Sequence, residues 1–401
     1  MTPTQRSVAM PALGRRSFLA GLSAGAAAVA GSGLLAGCGS NAGTKGDAGQ
    51  GTTDTSTQDK TLAFANWPLY IDVKRVDGEK TYPTLQEFQA QTGITVDYTE
   101  PINDNDEYFA KIRPVLASGK DIGADIIVVT DYMSAKLKSL GYLAKLDTGN
   151  LTQVQANIEP TLAHPGFDPN REFSVPWQSG ITGIAYDSTQ VDSPPTSYAD
   201  LFDPKYARKV TLFRGMRESL PAMLMAQGAA IDSFTDADVD NALAKLQEVV
   251  DSGQVRQFTG NDYIKELAAG NLALCLAYSG DVLQLQFDNP NIKFVVPEEG
   301  GELWSDNMSV PAYSPHRANA EKLMDFYYDP KVAAELVAWV NYICPVAGAQ
   351  DEMRKLDPEL AESELIFPTE QMMSRLHIMR DITEAEEQQY TLAFQQTIGL
   401  A

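Results

Sequence analysis

The chain has 401 residues, 44% of them apolar, and a formal net charge of −22. That much apolar material supports two domains or one large one. The acidity argues against nucleic acid as a partner, because binding phosphates needs a basic surface, and it steers cationic ligands inward.

The N-terminus reads as an export signal. Arg15-Arg16-Ser17-Phe18-Leu19 precedes an Ala/Gly-rich apolar run that ends in Leu35-Ala36-Gly37-Cys38. Basic region, apolar region and small residues follow in the order of a cleaved signal. The paired arginines resemble a twin-arginine signal, with Gly14 and Ala20 departing from it. Leu-Ala-Gly-Cys resembles a lipobox, which implies cleavage after residue 37 and lipidation of Cys38, rather than an uncleaved membrane helix. Loss of residues 1–37 removes three arginines and no acids and takes the net charge from −22 to −25. Residues 38–58 are then expected to be a flexible tether of Gly, Ser, Thr and Asp, about 20 residues reaching roughly 25 Å.

Beyond the tether, helical and strand patterns alternate. Thr84-Leu85-Gln86-Glu87 has the spacing of a capping box for a helix that stops at Gly93. Ile94, Val96 and Tyr98 alternate with polar residues, as in a half-buried strand. Phe109, Ile112, Val115 and Leu116 recur at helical spacing around Pro114, "ADIIVV" reads as a strand covered on both faces, and the helix after it ends on Gly141. The order repeats: strand "RKVTLF", a helix capped by Thr235, a short helix "NDYIKELAAG", then strands "NLALCLAY" and "IKFVVP". The C-terminal part is helical: "NAEKLMDFYYD", a helix with Pro330 in its first turn, and two polar helices over 368–398. This βαβα order predicts an α/β fold with parallel sheet. Cys275 and Cys344 are expected to be buried free thiols.

Familiar catalytic chemistry is missing. His164, His316 and His377 share no metal-ligand spacing, and neither a Gly-x-Ser-x-Gly elbow nor a Gly-x-x-x-x-Gly-Lys loop is present, so neither metal nor cofactor is expected. Instead, aromatics stand beside acids or amides where strands are predicted to end: Asn66-Trp67 with Tyr70, Asp131-Tyr132, Trp177 with Gln178, Tyr278 with Asp281, and Trp304 with Asp306. In open α/β sheets, ligands bind beyond the carboxyl ends of the strands. Residues i and i+2 of an extended segment share a side, so Trp304 and Asp306 face one ligand together. The pairing suits an organic cation: a ring face attracts an ammonium by ~0.5–2 kcal/mol, and a carboxylate adds a charge-assisted hydrogen bond. Each position alone has a simpler reading, Trp67 and Trp177 as core and Asp131 as a helix cap, and it is the repetition that favours a site.

Over residues 60–350 the chain resembles the spermidine/putrescine-binding proteins of bacterial ABC importers. The resemblance rests on "LAFANWPLYI" at 62–71, "ADIIVVTDYMSAKL" at 124–137, "FDPNREFSVPWQSGITGIAYD" at 167–187, "LAYSGDV" at 276–282 and "PEEGGELWSDNMSVP" at 297–311. It implies an α/β, two-lobed, periplasmic-binding-protein-like type II fold with a hinge and an interlobe ligand cleft. Lobe 1 would be 59–181 plus 305–350, and lobe 2 would be 182–304 plus 351–401. The ligand residues it implies are Trp67, Tyr70, Thr130, Tyr132, Glu218, Tyr278, Asp281, Trp304, Asp306 and Tyr342. Gly215 stands where spermidine-type members have an aspartate. Gly300-Gly301 would be a flexible approach to the crossing strand, with Glu298 and Glu299 as rim charges.

The implied role is a lipid-anchored, monomeric, non-enzymatic receptor outside the cytoplasm that hands a polyamine to a membrane permease. A receptor for another organic cation or amino compound is the alternative. An exported carbohydrate-active enzyme with a carboxylate pair or a structural envelope lipoprotein comes further behind.

Overall fold

Every side chain of Ile126–Val129 is apolar, which only a strand covered on both faces can bury. A computed structural model, which describes residues 52–400, places it there. The expected signal at 1–37, Cys38 and the tether up to residue 51 lie outside the described residues.

In chain order the first elements are β1 (Thr61–Ala65), a small hairpin of β2 (Lys74–Val76) and β3 (Glu79–Thr81), α1 (Pro83–Thr92), β4 (Thr95–Thr99), α2 (Asn105–Ala117), β5 (Ile126–Thr130), α3 (Asp131–Ser139) and α4 (Thr152–Asn157). The long strand β6 (Val175–Asp187) follows, buried throughout. Then come β7 (Val210–Phe213), α5 (Met216–Met225), α6 (Asp236–Asp251), β8 (Val255–Thr259), α7 (Tyr263–Ala268), β9 (Leu274–Tyr278), α8 (Ser279–Asp288), β10 (Ile292–Val295) and β11 (Gly301–Ser309). The last are α9 (Arg317–Phe326), α10 (Pro330–Val340), α11 (Ala349–Leu356), α12 (Pro358–Ala361), α13 (Glu370–Met373), β12 (Leu376–His377) and α14 (Glu384–Thr397).

The main sheet runs β4-β1-β5-β11-β6-β9-β7-β8. Its two flanks are parallel, β4-β1-β5 on one side and β9-β7-β8 on the other. Two antiparallel strands, β11 and β6, join them. The predicted parallel sheet is therefore two parallel sets, one per lobe, bridged by crossing strands.

Each flank has its own core. Phe64, Ile126 and Val128 point to one face of the first flank, among Leu62, Phe88, Trp177 and Val337. Ala65, Ile127 and Val129 point to the other, against Phe109 and Ile112 of α2. This is the period-two alternation of a doubly covered strand. The second core gathers Leu212, Leu246, Leu274, Leu276 and Phe394. Between the two cores, Ile181, Leu303 and Ile343 form a small apolar cluster with Val296. Cys275 lies in the second core and Cys344 in the first, both as buried free thiols.

Several expectations need correction. Thr84 does not cap α1: the helix starts at Pro83, and the Thr84 hydroxyl donates to buried Asp72 instead. Residues 301–309 form a nearly fully buried strand. The glycine doublet before Glu302 serves close packing, not flexibility. Gly300 has φ 104°, and a Cβ there would run into the Arg375 carbonyl and His377, while one on Gly301 would press on Ile181. The two expected C-terminal helices are present as α13, only four residues long, and α14, with a two-residue strand paired to β11 between them.

Residues 52–58, expected to belong to the tether, pack on the folded chain instead. Residues from Thr52 on are docked: Thr55 donates through its backbone and hydroxyl to the Pro315 carbonyl, and Asp54 accepts from the Ala318 N–H. The expected second-lobe segment 351–401 divides, because Met353, Leu360, Ala361 and Ile366 pack in the first core. Tyr390, Phe394 and Ile398 pack in the second.

Candidate ligand-binding cleft

Parallel strands in both flanks point their carboxyl ends at one cavity of about 440 Å³, within the usual range for small-molecule sites. The loop after β1 brings Trp67 and Tyr70, the end of β5 brings Thr130 and Tyr132, and the helix after β7 brings Glu218. Tyr278 and Asp281 come from the end of β9 and the start of α8, Trp304 and Asp306 from β11, and Tyr342 from the segment after α10. All ten predicted site residues line this cavity. Trp177 does not: it is 1% exposed, in the first core, and its indole N–H donates to the Tyr70 carbonyl at 3.2 Å.

That bond is part of a constrained turn. Asn66, fully buried, donates to the same carbonyl at 3.2 Å. Leu69 is held at φ 62°, a left-handed conformation that costs a residue with a Cβ about 1–3 kcal/mol. The strained turn sets Tyr70 into the cavity. Tyr342 is aimed in a similar way, following Asn341, which ends α10 at φ 59°; asparagine tolerates that region better than most residues.

The aromatic wall is continuous. Tyr278 stacks on Phe213 with centroids 4.5 Å apart. Trp304 meets Tyr278 edge-on at 5.3 Å and Tyr342 at a tilt at 5.8 Å, and Tyr342 meets Tyr70 edge-on at 5.2 Å. The Trp304 indole donates to the Thr182 hydroxyl at 3.1 Å, and the Trp67 indole to the Val128 carbonyl at 3.0 Å. Two glycines make the wall possible. A Cβ on Gly180, opposite Trp304 on β6, would enter the Trp304 ring, and one on Gly280 would enter the Tyr342 ring. Gly180→Ala is therefore expected to destabilise the protein by about 1–3 kcal/mol through overpacking, seen as a lower urea midpoint with unchanged slope.

The acids set the electrostatics. Asp306 is 5% exposed, and neither its Oδ1 nor the Tyr70 hydroxyl has a hydrogen-bond partner within the protein. Tyr70 stands close enough to steady the carboxylate without reaching hydrogen-bond geometry. Burial, with Asp131 nearby, pushes Asp306 up to about 7. Asp131, which accepts from Asn307 at 2.7 Å, is raised by burial to about 6. Asp281 is also raised by burial to about 6, although Tyr342 and Tyr263 each donate to it at 2.8 Å.

Glu218 is pushed up to about 8, first by burial and then by Asp104 and Asp106. Its carboxylate occupies the space that a side chain at Gly215 would enter. Arg217, the cation nearest to it in sequence, is committed elsewhere: it pairs with Glu387 and lies 4.7 Å over the Tyr132 ring. Among the described residues, no group of three or more His, Cys, Asp or Glu stands together to hold a metal ion.

Sequence reasoning missed several lining residues. Asp104, Arg217 and the mouth segment 378–381 arrive by tertiary folding. Glu302 had a signal, since it stands two residues before Trp304 on the same face of β11. It is 8% exposed, lines the cavity, and is raised to about 8, mainly by burial and then by Glu218. Glu298 and Glu299 are not among the lining residues; Glu299 accepts from the Ser197 hydroxyl instead.

Two α/β lobes joined by crossing strands, with an aromatic and acidic cavity at their strand ends, define the architecture of a periplasmic binding protein. The chain belongs to the bacterial extracellular solute-binding protein family, which matches residues 84–368. It is 27% identical over 331 residues to the spermidine/putrescine-binding periplasmic protein of Salmonella typhimurium, covering 82% of this chain and 89% of that one. It is also 27% identical over 349 residues to the putrescine-binding periplasmic protein SpuD of Pseudomonas aeruginosa, with 82% and 89% covered. The crystal structure of the spermidine/putrescine ABC transporter substrate-binding protein PotD from Streptococcus pneumoniae, in complex with calcium and HEPES, superposes with a TM-score of 0.69. Identity is 27%, over 85% of this chain and 99% of that one.

Proposed function

We propose that this protein is the solute receptor of an ABC importer and captures a polyamine, putrescine or spermidine, in the cleft between its lobes. One observation carries the reading: Asp306, nearly fully buried with an oxygen lacking any protein partner, sits among the rings of Tyr70, Trp304 and Tyr342. A buried carboxylate is relieved by a proton or by a cation, and the aromatic walls around this one suit a cation with an aliphatic body. The names of the relatives point the same way. The ten lining residues named from the sequence are the proposed ligand contacts.

In this reading, lipidation at Cys38 anchors the chain to the outer face of the bacterial cell membrane, where a monomeric receptor delivers its ligand to the permease. Lobe 1 is proposed as 59–181 plus 305–350, extended to the residues near 366 that share its core. The rest of 182–401 forms lobe 2, with the hinge in the crossing strands.

A thermal-shift and calorimetry panel of putrescine, spermidine, amino acids and sugars tests the reading. A ligand at 100 times its dissociation constant stabilises by about 2.7 kcal/mol, so a clear shift is expected with the polyamines and none with sugars. No heat with any linear diamine or triamine would overturn the ligand assignment.

A further inference from the structure

We propose that Glu302 is a second cation-binding carboxylate. Together with Asp306 on the same strand it sets the length of the ligand, selecting an α,ω-diamine with a short aliphatic chain. The inference rests on the polyamine reading and deepens it.

β11 is regular from Glu302 to Asp306; its bulge begins only after Asp306. Residues 302, 304 and 306 therefore share one face, and all three line the cavity. The strand thus carries a carboxylate, an indole and a carboxylate in a row. Glu302 is 8% exposed and Asp306 5%, and the Asp306 Oδ1 has no partner. Directly across from Glu302 is Thr182, whose hydroxyl accepts from the Trp304 indole. Its own proton is thereby free to be donated toward Glu302, which steadies that carboxylate beside the ring. Glu218 approaches Glu302 from α5 and adds a second carboxyl group at this end of the cavity.

Spacing gives the ligand. Four residues of extended strand separate the two positions by ~14 Å. An ammonium stands ~2.8 Å from a carboxylate oxygen. A ligand laid along the strand over Trp304 then has its terminal nitrogens ~8 Å apart, which fits a linear diamine of about five carbons.

The test is calorimetry with a series of α,ω-diaminoalkanes from three to eight carbons, plus butylamine. Wild type is expected to bind best near the middle of the series. Glu302→Gln should lower the affinity for the best diamine by about 30-fold or more and flatten the length dependence, while lowering that for butylamine far less, because its single ammonium still finds Asp306. Glu302→Asp, which keeps the charge but draws it back toward the strand by one methylene, should weaken the best diamine less than Glu302→Gln does and retain a length optimum. A length profile that is the same in wild type and Glu302→Gln overturns the inference and leaves the polyamine reading standing. No heat with any amine overturns both.

Discussion

Asp306→Asn is expected to lower the affinity for putrescine or spermidine by about 30-fold to several thousand-fold. The carboxylate is buried, short of hydrogen-bond donors and flanked by aromatic rings. In such a place the bound ammonium has little water to fall back on. Removing one partner of a desolvated charge pair costs about 2–5 kcal/mol, much of it the penalty of the charge left alone. Asparagine keeps the shape of the side chain, so the aromatic walls stay in place and the loss is electrostatic.

The variant carries a second signature. Burial pushes Asp306 up to about 7, so at pH 8 the empty protein holds an unfavourable charge there. Asp306→Asn removes it, and the ligand-free variant should unfold at the same or higher urea concentration than wild type. Weaker binding combined with undiminished stability separates a ligand group from a structural one. Unchanged affinity would take Asp306 out of the site and remove the observation on which the polyamine reading chiefly stands.

Local chemistry was legible in the sequence wherever a single segment decides the outcome. Thr235 caps α6 through a full capping box with Asp238, and Gly93 ends α1 at φ 70°. Residues 126–129 form the doubly covered strand that their composition requires. Legibility failed where a distant partner competes. Thr84 has the spacing of a capping box, but Asp72 offers its hydroxyl a buried acceptor and the helix starts two residues earlier, at Pro83. Gly300 and Gly301 read as flexible because the groups they pack against, the Arg375 carbonyl, His377 and Ile181, are remote in the chain.

The site shows the same division. The i, i+2 rule placed Trp304 and Asp306 on one side, and one step further back it would have found Glu302. Trp177 met the same aromatic-beside-amide criterion, yet it went to the core, because β6 is covered on both faces and its alternation does not separate cavity from interior. Glu218 and Tyr342 were reached only through the family resemblance, since no local pattern ties α5 or the segment after α10 to the end of β11.

Binding should release protons, and affinity should rise with pH between about 6 and 8. In the empty cavity Glu218 and Glu302 are pushed up to about 8, Asp306 to about 7, and Asp131 and Asp281 to about 6, burial being the largest cause for each. The sign follows from linkage. Each group binds its proton more tightly folded than unfolded, so its contribution to stability is complete below the unfolded carboxylate range near pH 4. That contribution is lost as pH rises through the folded values, so the ligand-free protein should become steadily less stable from pH 5 to pH 9.

An ammonium reverses the preference, because a positive charge beside a carboxylate favours its ionised form. At pH 7 the two glutamates are mostly protonated when the cleft is empty, and a diamine that contacts them must displace those protons. About one to two protons should be released per ligand, with affinity rising by up to about tenfold per pH unit for each proton. The rise should level off above the folded values and reverse near pH 10, where the amine itself loses its charge. Calorimetry in buffers of different ionisation enthalpy counts the protons directly, and Glu302→Gln should lower the count. A proton count of zero with affinity flat from pH 6 to 8 would mean that these carboxylates are already ionised in the empty cleft, held so by water or by solution cations that the polyamine must then displace.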